Sequence, residues 1–281
     1  MSRLDIVIVN FNGDGALEAC LASLHDAPPR VPHTITVVDN RSTDESLRRA
    51  RKRYPASPTL RYIELPENIG FARANNVAIR DTRSELILLL NSDTIAPQGQ
   101  IDALVAALDR DPAAAVAGPR LVEFVREDQF VELSFGRMMT PFNELRQKFL
   151  GIVHDRRTPL LARYVDRLLA RPGTPDWVSG ACLLVRRADA EAVGLLDERF
   201  FMYTEDVDFC AAIRARGRRI LFVPEAQIIH SRGLSRASAP AATQAHYRRS
   251  HIAFYEKHHP RWAPWLRRYL RLRGQLPSPL Q

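Results

Sequence analysis

Apolar and polar positions follow two rhythms through the first 108 residues. Asp5–Asn10, Thr34–Asp39, Leu60–Leu65 and Leu86–Leu90 are short, nearly continuous apolar runs that read as buried strands. Between them Leu17, Cys20, Leu21 and Leu24 recur at helical spacing, and Gly70 through Ile79 and Gln98–Leu108 read as further helices. Ser42 and Glu45 stand at capping-box spacing and predict a helix start there. This alternation predicts an α/β fold, a Rossmann-like and mostly parallel central sheet with helices on both faces. Ligands of such sheets gather beyond the carboxyl ends of the strands, where Asp39-Asn40 and Asn91-Ser92-Asp93 fall.

The second half is less regular. Ala114–Ala117 reads as a short strand. In residues 123–174 the helical patches Leu145–Ile152 and Leu160–Leu169 alternate with basic loops, and a helical insertion over the site is expected. Trp177–Val185 reads as one strand, Ala188–Val193 and Asp206–Arg216 as helices, and Arg219–Val223 and Gln227–His230 as two short strands. Gly233–Thr243, rich in Ser, Ala and Pro, is expected to be mobile.

A chain of 281 residues with 46% hydrophobic content builds one large domain, or a domain with an appendage. It contains no apolar run of about 18 residues, so no membrane-spanning helix is expected, and its N-terminus lacks a secretory-signal pattern. Cys20, Cys182 and Cys210 are odd in number and lack metal-ligand spacing, so they are expected to be reduced core residues, as suits the cytoplasm. The net charge of +8 is uneven: residues 211–281 carry 14 Lys/Arg against Glu225 and Glu256 alone. That imbalance points to a localised contact with a polyanionic surface.

Two acidic clusters stand out. Asn91-Ser92-Asp93 follows five apolar strand residues, and a strand-end carboxylate can hold a divalent cation against a diphosphate. The same tripeptide is also a common turn. Glu205-Asp206 follows the aromatic stretch Phe200–Tyr203; it supplies either a general base or simply acids that suit a helix start. Asp39 can accept a base or ribose hydrogen bond, or form a turn. Asn68-Ile69-Gly70-Phe71 with Asn75-Asn76 offers a helix start that phosphate would favour, or an ordinary turn. His230 is a metal ligand only if its strand end lies beside Asp93. Trp177 either walls a sugar site or belongs to the core.

Taken in order, IVIVNFN (Ile6–Asn12), VVDNRSTDES (Val37–Ser46), NIGFARANNVAI (Asn68–Ile79), LLLNSDT (Leu88–Thr94), WVSGACLLV (Trp177–Val185), GLLDERFFMYTEDVDF (Gly194–Phe209) and HSRGLS (His230–Ser235) resemble family 2 inverting nucleotide-sugar glycosyltransferases. The rhamnosyltransferase-like and galactofuranosyltransferase-like branches look most similar, and the resemblance covers roughly residues 4–258. It implies an A-type glycosyltransferase fold, a nucleotide-diphospho-sugar donor and a Mn2+ or Mg2+ cofactor. By motif position, Asp206 matches the general base with Glu205 beside it, and Asp93 and His230 match metal ligands. Asn10, Asn12, Asp39, Asn40, Asn68, Gly70, Phe71, Asn75, Asn91 and Ser92 are expected around the nucleotide-sugar, with Asp39 at the base. Trp177, Ser179 and Gly180 are expected in the acceptor and sugar pocket. The sequence departs from the family pattern at Asn91, where many members carry Asp, which leaves more of the metal to His230. It also lacks the Gln-x-x-Arg-Trp motif of processive members, so one sugar, or few, per encounter is expected.

Trp262, Trp265, Leu266 and Tyr269 fall at i, i+3, i+4 and i+7, with Arg267, Arg268 and Arg271 mainly around the other side. This predicts a basic amphipathic helix that either lies in an anionic membrane interface or docks on its own domain. The expected division is a catalytic domain, 1–245, and a helical membrane-associating extension, 246–281. Within the former, about 1–120 binds nucleotide and about 121–245 binds acceptor. The expected enzyme is cytoplasmic, peripheral on the inner face of the plasma membrane. It would move a sugar, first rhamnose from dTDP-rhamnose, to a cell-envelope glycan or lipid-linked acceptor. A non-catalytic nucleotide-sugar-binding protein is the competing reading. A nucleic-acid-binding protein using the basic tail ranks below it, because no aromatic RNA-binding motif or zinc finger accompanies that tail.

Overall fold

A computed structural model describes residues 3–125, 128–156, 165, 167–231 and 240–277. In chain order its elements are β1 Leu4–Asn10, α1 Ala16–Asp26, β2 His33–Asp39, α2 Ser46–Arg53, β3 Leu60–Glu64, α3 Phe71–Arg80, β4 Leu86–Asn91, β5 Thr94–Ile95, α4 Gln100–Arg110, β6 Ala114–Val125, β7 Asp128–Val131, β8 Phe135–Gly136, α5 Pro141–Arg156, β9 Trp177–Val178, β10 Cys182–Arg186, α6 Arg187–Ala192, α7 Glu205–Ala215, β11 Arg219–His230, α8 Pro240–His258 and α9 Ala263–Leu272.

The α/β expectation is met. One nine-stranded sheet runs in the order β3-β2-β1-β4-β10-β6-β11-β5, with β7 beside β6. β1 pairs parallel with β2 and β4, β2 with β3, and β6 with β11; β10, β7 and β5 run antiparallel to their neighbours. Every residue of β1 is buried, as a central parallel strand requires. Ile6, Ile8, Leu86, Leu88 and Leu90 pack with α1 and α4 on one face. Val7, Val9, Ile87 and Leu89 pack with α3 and α7 on the other. The strand register sets Asn10 opposite Asp39 and Val9 opposite Asn91, so three polar strand ends share one edge. All three cysteines are free and buried. Among the described residues no helix is long and apolar enough to cross a membrane.

Several local expectations change. Ser42 caps no helix: α2 begins at Ser46 without a side-chain cap, because the Ser42 hydroxyl accepts the Asn12 amide instead. The strand expected at Ala114–Ala117 continues to Val125. Arg219–His230 is one strand with an irregularity between Val223 and Gln227. Trp177–Val185 breaks at Ser179–Ala181, where the chain turns toward α7. Residues 123–174 contain the end of β6, β7, β8 and α5, which packs on the core through Leu150 and Val153. Most of the expected Leu160–Leu169 helix and of the Gly233–Thr243 linker lies outside the described residues. The expected 245/246 boundary falls inside α8.

Gly70 joins the two halves. Its φ is +86°, and a Cβ there would stand 2.5 Å from the Phe201 carbonyl oxygen. Gly70→Ala is expected to cost about 2 kcal/mol or more, since a left-handed backbone alone costs an L-residue about 1–2. Thermal unfolding of the variant measures it; an unchanged Tm would mean that the junction yields freely.

Candidate active site

β5 has two residues, yet it fixes half of the site. It pairs antiparallel with the end of β11, setting His230 opposite Thr94, and the Ser231 amide donates to the Asp93 carbonyl at 2.9 Å. His230 Nε2 thereby comes to 3.4 Å from Asp93 Oδ1. Its Nδ1 lies 3.1 Å from Oε1 of Glu132, a buried residue directly after β7. The strand order β7, β6, β11, β5 thus sets Glu132, His230 and Asp93 in a row. Burial opposes a charged imidazole, but the two carboxylates outweigh it and raise His230 to about 9. The same negative field favours a cation at this position. Among the described residues no group of three or more His, Cys, Asp or Glu side chains is arranged to hold an ion. Asp93 and, once its imidazole gives up a proton, His230 could supply two donors to such an ion, with its remaining positions open to diphosphate oxygens and water. Sequence reading missed Glu132, because nothing in its neighbourhood forms a motif.

The second half of the site lies at the start of α7. Tyr203 and Thr204 adopt left-handed φ values of +70° and +64°, a strained pair of the kind found at functional sites. They deliver Glu205 and Asp206 into a buried position. Asp206 accepts the Gly180 amide at Oδ2 and the Val207 amide at Oδ1, each at 2.8 Å. Gly180 fits closely: a Cβ there would lie 3.2 Å from the Asp206 Cβ and would press on that side chain. Glu205 Oε2 has no hydrogen-bond partner. Burial raises Asp206 above its ordinary value despite its two N–H donors. Burial, and then the charge of Asp206, push Glu205 well above its ordinary value. Of the two, Asp206 is the first to ionise.

The polar strand ends form a third group. The Asn10 amide donates to Asp39 Oδ1 at 2.8 Å, and Asp39 Oδ2 accepts the Ser42 amide at 3.0 Å. Asn12 Oδ1 accepts the Thr43 amide at 2.7 Å. Asp39 is buried and braces this loop through both carboxylate oxygens. A Cβ on Gly13 would strike Asn10 Oδ1 and come within 3.4 Å of the Ser92 hydroxyl, leaving a cradle between β1 and β4. Asn10 Oδ1 and Asn91 Oδ1 are buried and have no hydrogen-bond partner among the described residues.

Other expected site residues also take part in the local bonding of the fold. Asn40 donates to Asn68 Oδ1 at 2.9 Å and accepts the Ile69 amide, tying two loops together. The Phe71 amide at the start of α3 donates to the Phe201 carbonyl, which takes up one of the first-turn donors of this helix. Asn75 is buried and bonds back to the Phe71 carbonyl. The Trp177 indole N–H donates to the Arg137 carbonyl, and its half-buried ring packs against Gly136 and two core clusters. Ser179 accepts the Ala181 amide at 3.3 Å, shaping the Gly180 turn.

The curled sheet, the polar loops above its carboxyl edge and the paired acids define the class, a glycosyltransferase. A family model described as Glycosyl transferase family 2 matches residues 5–169, and the chain belongs to that family. It is 31% identical over 280 residues to the N-acetylglucosaminyl-diphospho-decaprenol L-rhamnosyltransferase of Mycobacterium tuberculosis strain H37Rv, covering 95% of this chain and 89% of that protein. It is 27% identical over 168 residues to the rhamnosyltransferase WbbL of Escherichia coli K12, covering 57% and 60%. Its fold superposes with a TM-score of 0.62 on the mannosyltransferase PcManGT from Pyrobaculum calidifontis in complex with GDP-Man and Mn2+, at 17% identity, over 94% of this chain and 68% of that one.

Proposed function

We propose that the protein is a metal-dependent inverting glycosyltransferase. It would move one sugar, rhamnose from dTDP-rhamnose first among the candidates, to a hydroxyl of a lipid-linked or cell-envelope glycan. The observation that carries this reading is geometric: a carboxylate–imidazole pair and a buried acid pair stand at the strand ends with the Asn10–Gly13 cradle. The similarity to the mycobacterial rhamnosyltransferase over nearly the whole chain supports the sugar and the acceptor class. The Mn2+ in the archaeal mannosyltransferase supports the cation.

In this reading Asn10, Gly13 and Ser92 receive the nucleotide diphosphate, with Asp39 beneath the loop. Asp93 and His230 hold Mn2+ or Mg2+, which when bound neutralises the leaving diphosphate. Asp206 takes the proton of the acceptor hydroxyl as that oxygen attacks the anomeric carbon. The Gly180 and Val207 amides fix the orientation of its carboxylate. Glu205, whose neutral form burial and the Asp206 charge favour, limits the build-up of a second negative charge beside the incoming hydroxyl. The test is a donor screen with dTDP-rhamnose and UDP-sugars, Mn2+ or Mg2+, and an N-acetylglucosaminyl-diphospho-polyprenol analogue. Transfer of rhamnose with inversion is expected. Donor binding without turnover on this or any other glycan acceptor would identify a nucleotide-sugar sensor instead.

The enzyme is read as peripheral on the inner face of the plasma membrane, with α9 as a contact. That helix serves two surfaces. Ala263, Leu266 and Leu270 pack inward, whereas Trp262, Trp265 and Tyr269 are exposed. Leu266, expected in the outer stripe, therefore belongs to the inner one. Trp265→Ser with Tyr269→Ser is expected to weaken binding to anionic vesicles severalfold with Tm unchanged. Leu270→Ala is expected to cost about 2–5 kcal/mol of stability. Vesicle sedimentation and thermal unfolding separate the two; unchanged sedimentation of the double variant would remove α9 as a membrane contact.

A further inference from the structure

α5 carries an apolar stripe that the proposed reaction does not use. Phe142, Leu145, Phe149 and Ile152 fall at i, i+3, i+7 and i+10, and each is more than half exposed, Phe142 at 75%. The opposite face of the helix is already seated. Leu150 and Val153 pack against Val131, Leu133 and Phe135. The Gln147 amide donates to the Phe135 carbonyl at 3.2 Å, and the Asn143 amide to the Met138 carbonyl at 2.9 Å. The stripe is thus the outer surface of a docked helix, and exposed apolar surface of this extent marks an interaction site.

α9 repeats the spacing with Trp262, Trp265, Tyr269 and Leu272, again each more than half exposed. The two helices begin at one corner. The His259 ring nitrogen lies 2.7 Å from the Met139 carbonyl, two residues before α5. Glu144 of α5 accepts the Tyr255 hydroxyl at 2.7 Å and lies 2.9 Å from His251 Nε2, both on α8. Val207, next to Asp206, packs in one cluster with Phe254 and Ala263, so the acid pair stands one packing layer behind this corner.

Charge selects the occupant. Residues 137–171 carry eight Lys/Arg against three Asp/Glu, and residues 211–281 carry 14 against two. A second copy of this chain would bring positive charge against positive charge. An anionic bilayer complements it, and its headgroup region accepts aromatic and aliphatic side chains beside Lys and Arg.

We propose that α5 inserts Phe142, Leu145, Phe149 and Ile152 into an anionic membrane surface, forming with α9 a two-helix seat that holds the acid pair near the headgroups. The proposal deepens the lipid-linked-acceptor reading, but the contact itself is independent of which sugar is moved. The test is flotation of the full chain with vesicles of phosphatidylcholine and phosphatidylglycerol, at low and high salt. One variant replaces the four α5 residues by Gln; another carries Trp265→Gln, Tyr269→Gln and Leu272→Gln. All these positions are exposed, so Tm should hold, and Phe142→Gln with Leu145→Gln serves if the fourfold variant unfolds. The α5 variant is expected to bind at least about tenfold more weakly, the equivalent of about 1.4 kcal/mol, chiefly in the salt-resistant part. Its turnover of a water-soluble acceptor analogue should be unchanged.

Wild-type flotation by the α5 variant overturns the proposal, whatever the α9 variant does. Loss of flotation in the α5 variant alone upholds α5 and removes α9. A dimer in light scattering that the α5 substitutions dissolve, with flotation unchanged, would assign the stripe to self-association and overturn the proposal as well. Absence of rhamnosyl transfer, with flotation lost as expected, would count against the proposed reaction and leave the membrane seat standing.

Discussion

Asp206→Asn is expected to lower sugar transfer by about 100-fold or more while nucleotide-sugar binding stays near its wild-type value. Asparagine keeps the shape of the side chain. Its carboxamide oxygen can still accept the Gly180 or Val207 amide, which the carboxylate takes at 2.8 Å each. What is lost is the proton acceptor. Glu205→Gln tests the neighbouring acid from the other direction. Burial and the Asp206 charge push Glu205 well above its ordinary value, which favours the neutral acid that glutamine mimics, so its amide analogue is expected to change little. A modest effect at Glu205 beside a large one at Asp206 is therefore the signature of this pair. Asp206 must be ionised to act as a base, and burial raises its pKa. Activity should thus fall on the acid side, with the limb of kcat/KM lying above the ordinary aspartate value. Single-turnover transfer and donor titration of both variants make the comparison. Near-wild-type transfer by Asp206→Asn would move the base elsewhere.

The acid pair was legible in the sequence because it sits in a motif after an aromatic stretch, whereas its setting was not. The two left-handed residues Tyr203 and Thr204, and the Gly180 amide that holds Asp206, depend on backbone brought from other parts of the chain. The central sheet was readable for a different reason. β1 and β4 are buried on both faces, and a continuous apolar run carries that requirement on its surface. Periodicity failed where long-range pairing decides. β6 continues past Ala117 because β11 and β7 bond to it on either side, and β5 exists only through its pairing with β11. Glu132 owes its place to that same pairing, so no local pattern announces it. The asparagines carry a mixed signal. Asn40 and Asn68 bond to each other and to the Ile69 and Gly70 amides, whereas Asn75 bonds to the Phe71 carbonyl through its nitrogen and keeps a buried oxygen with no partner among the described residues. Composition cannot separate an asparagine that binds from one that braces.

Asp93→Ala and His230→Ala should each abolish saturable Mn2+ binding in the presence of a nucleoside diphosphate and lower transfer by on the order of 1000-fold, the scale of several kcal/mol of charge stabilisation. The two residues are expected to fail together because the protein offers so little else. Asn91 brings no charge, and among the described residues no third acidic, cysteine or histidine side chain completes a metal cluster. Glu132 gives a finer test. It lies 3.1 Å from His230 Nδ1, so it fixes which nitrogen of the ring faces Asp93. Glu132→Ala frees the ring and should weaken Mn2+ binding about 10–100-fold. Glu132→Gln retains an acceptor for the Nδ1–H and should lose less, separating orientation from charge. The measurement is the electron paramagnetic resonance of free Mn2+ during titration, which reads the ion without requiring turnover. A purely structural Glu132 would lower Tm in both variants and leave the Mn2+ affinity of the folded fraction untouched. Unchanged Mn2+ binding in Asp93→Ala and His230→Ala alike would show that the ion, if the reaction needs one, rests on the substrate and on other residues.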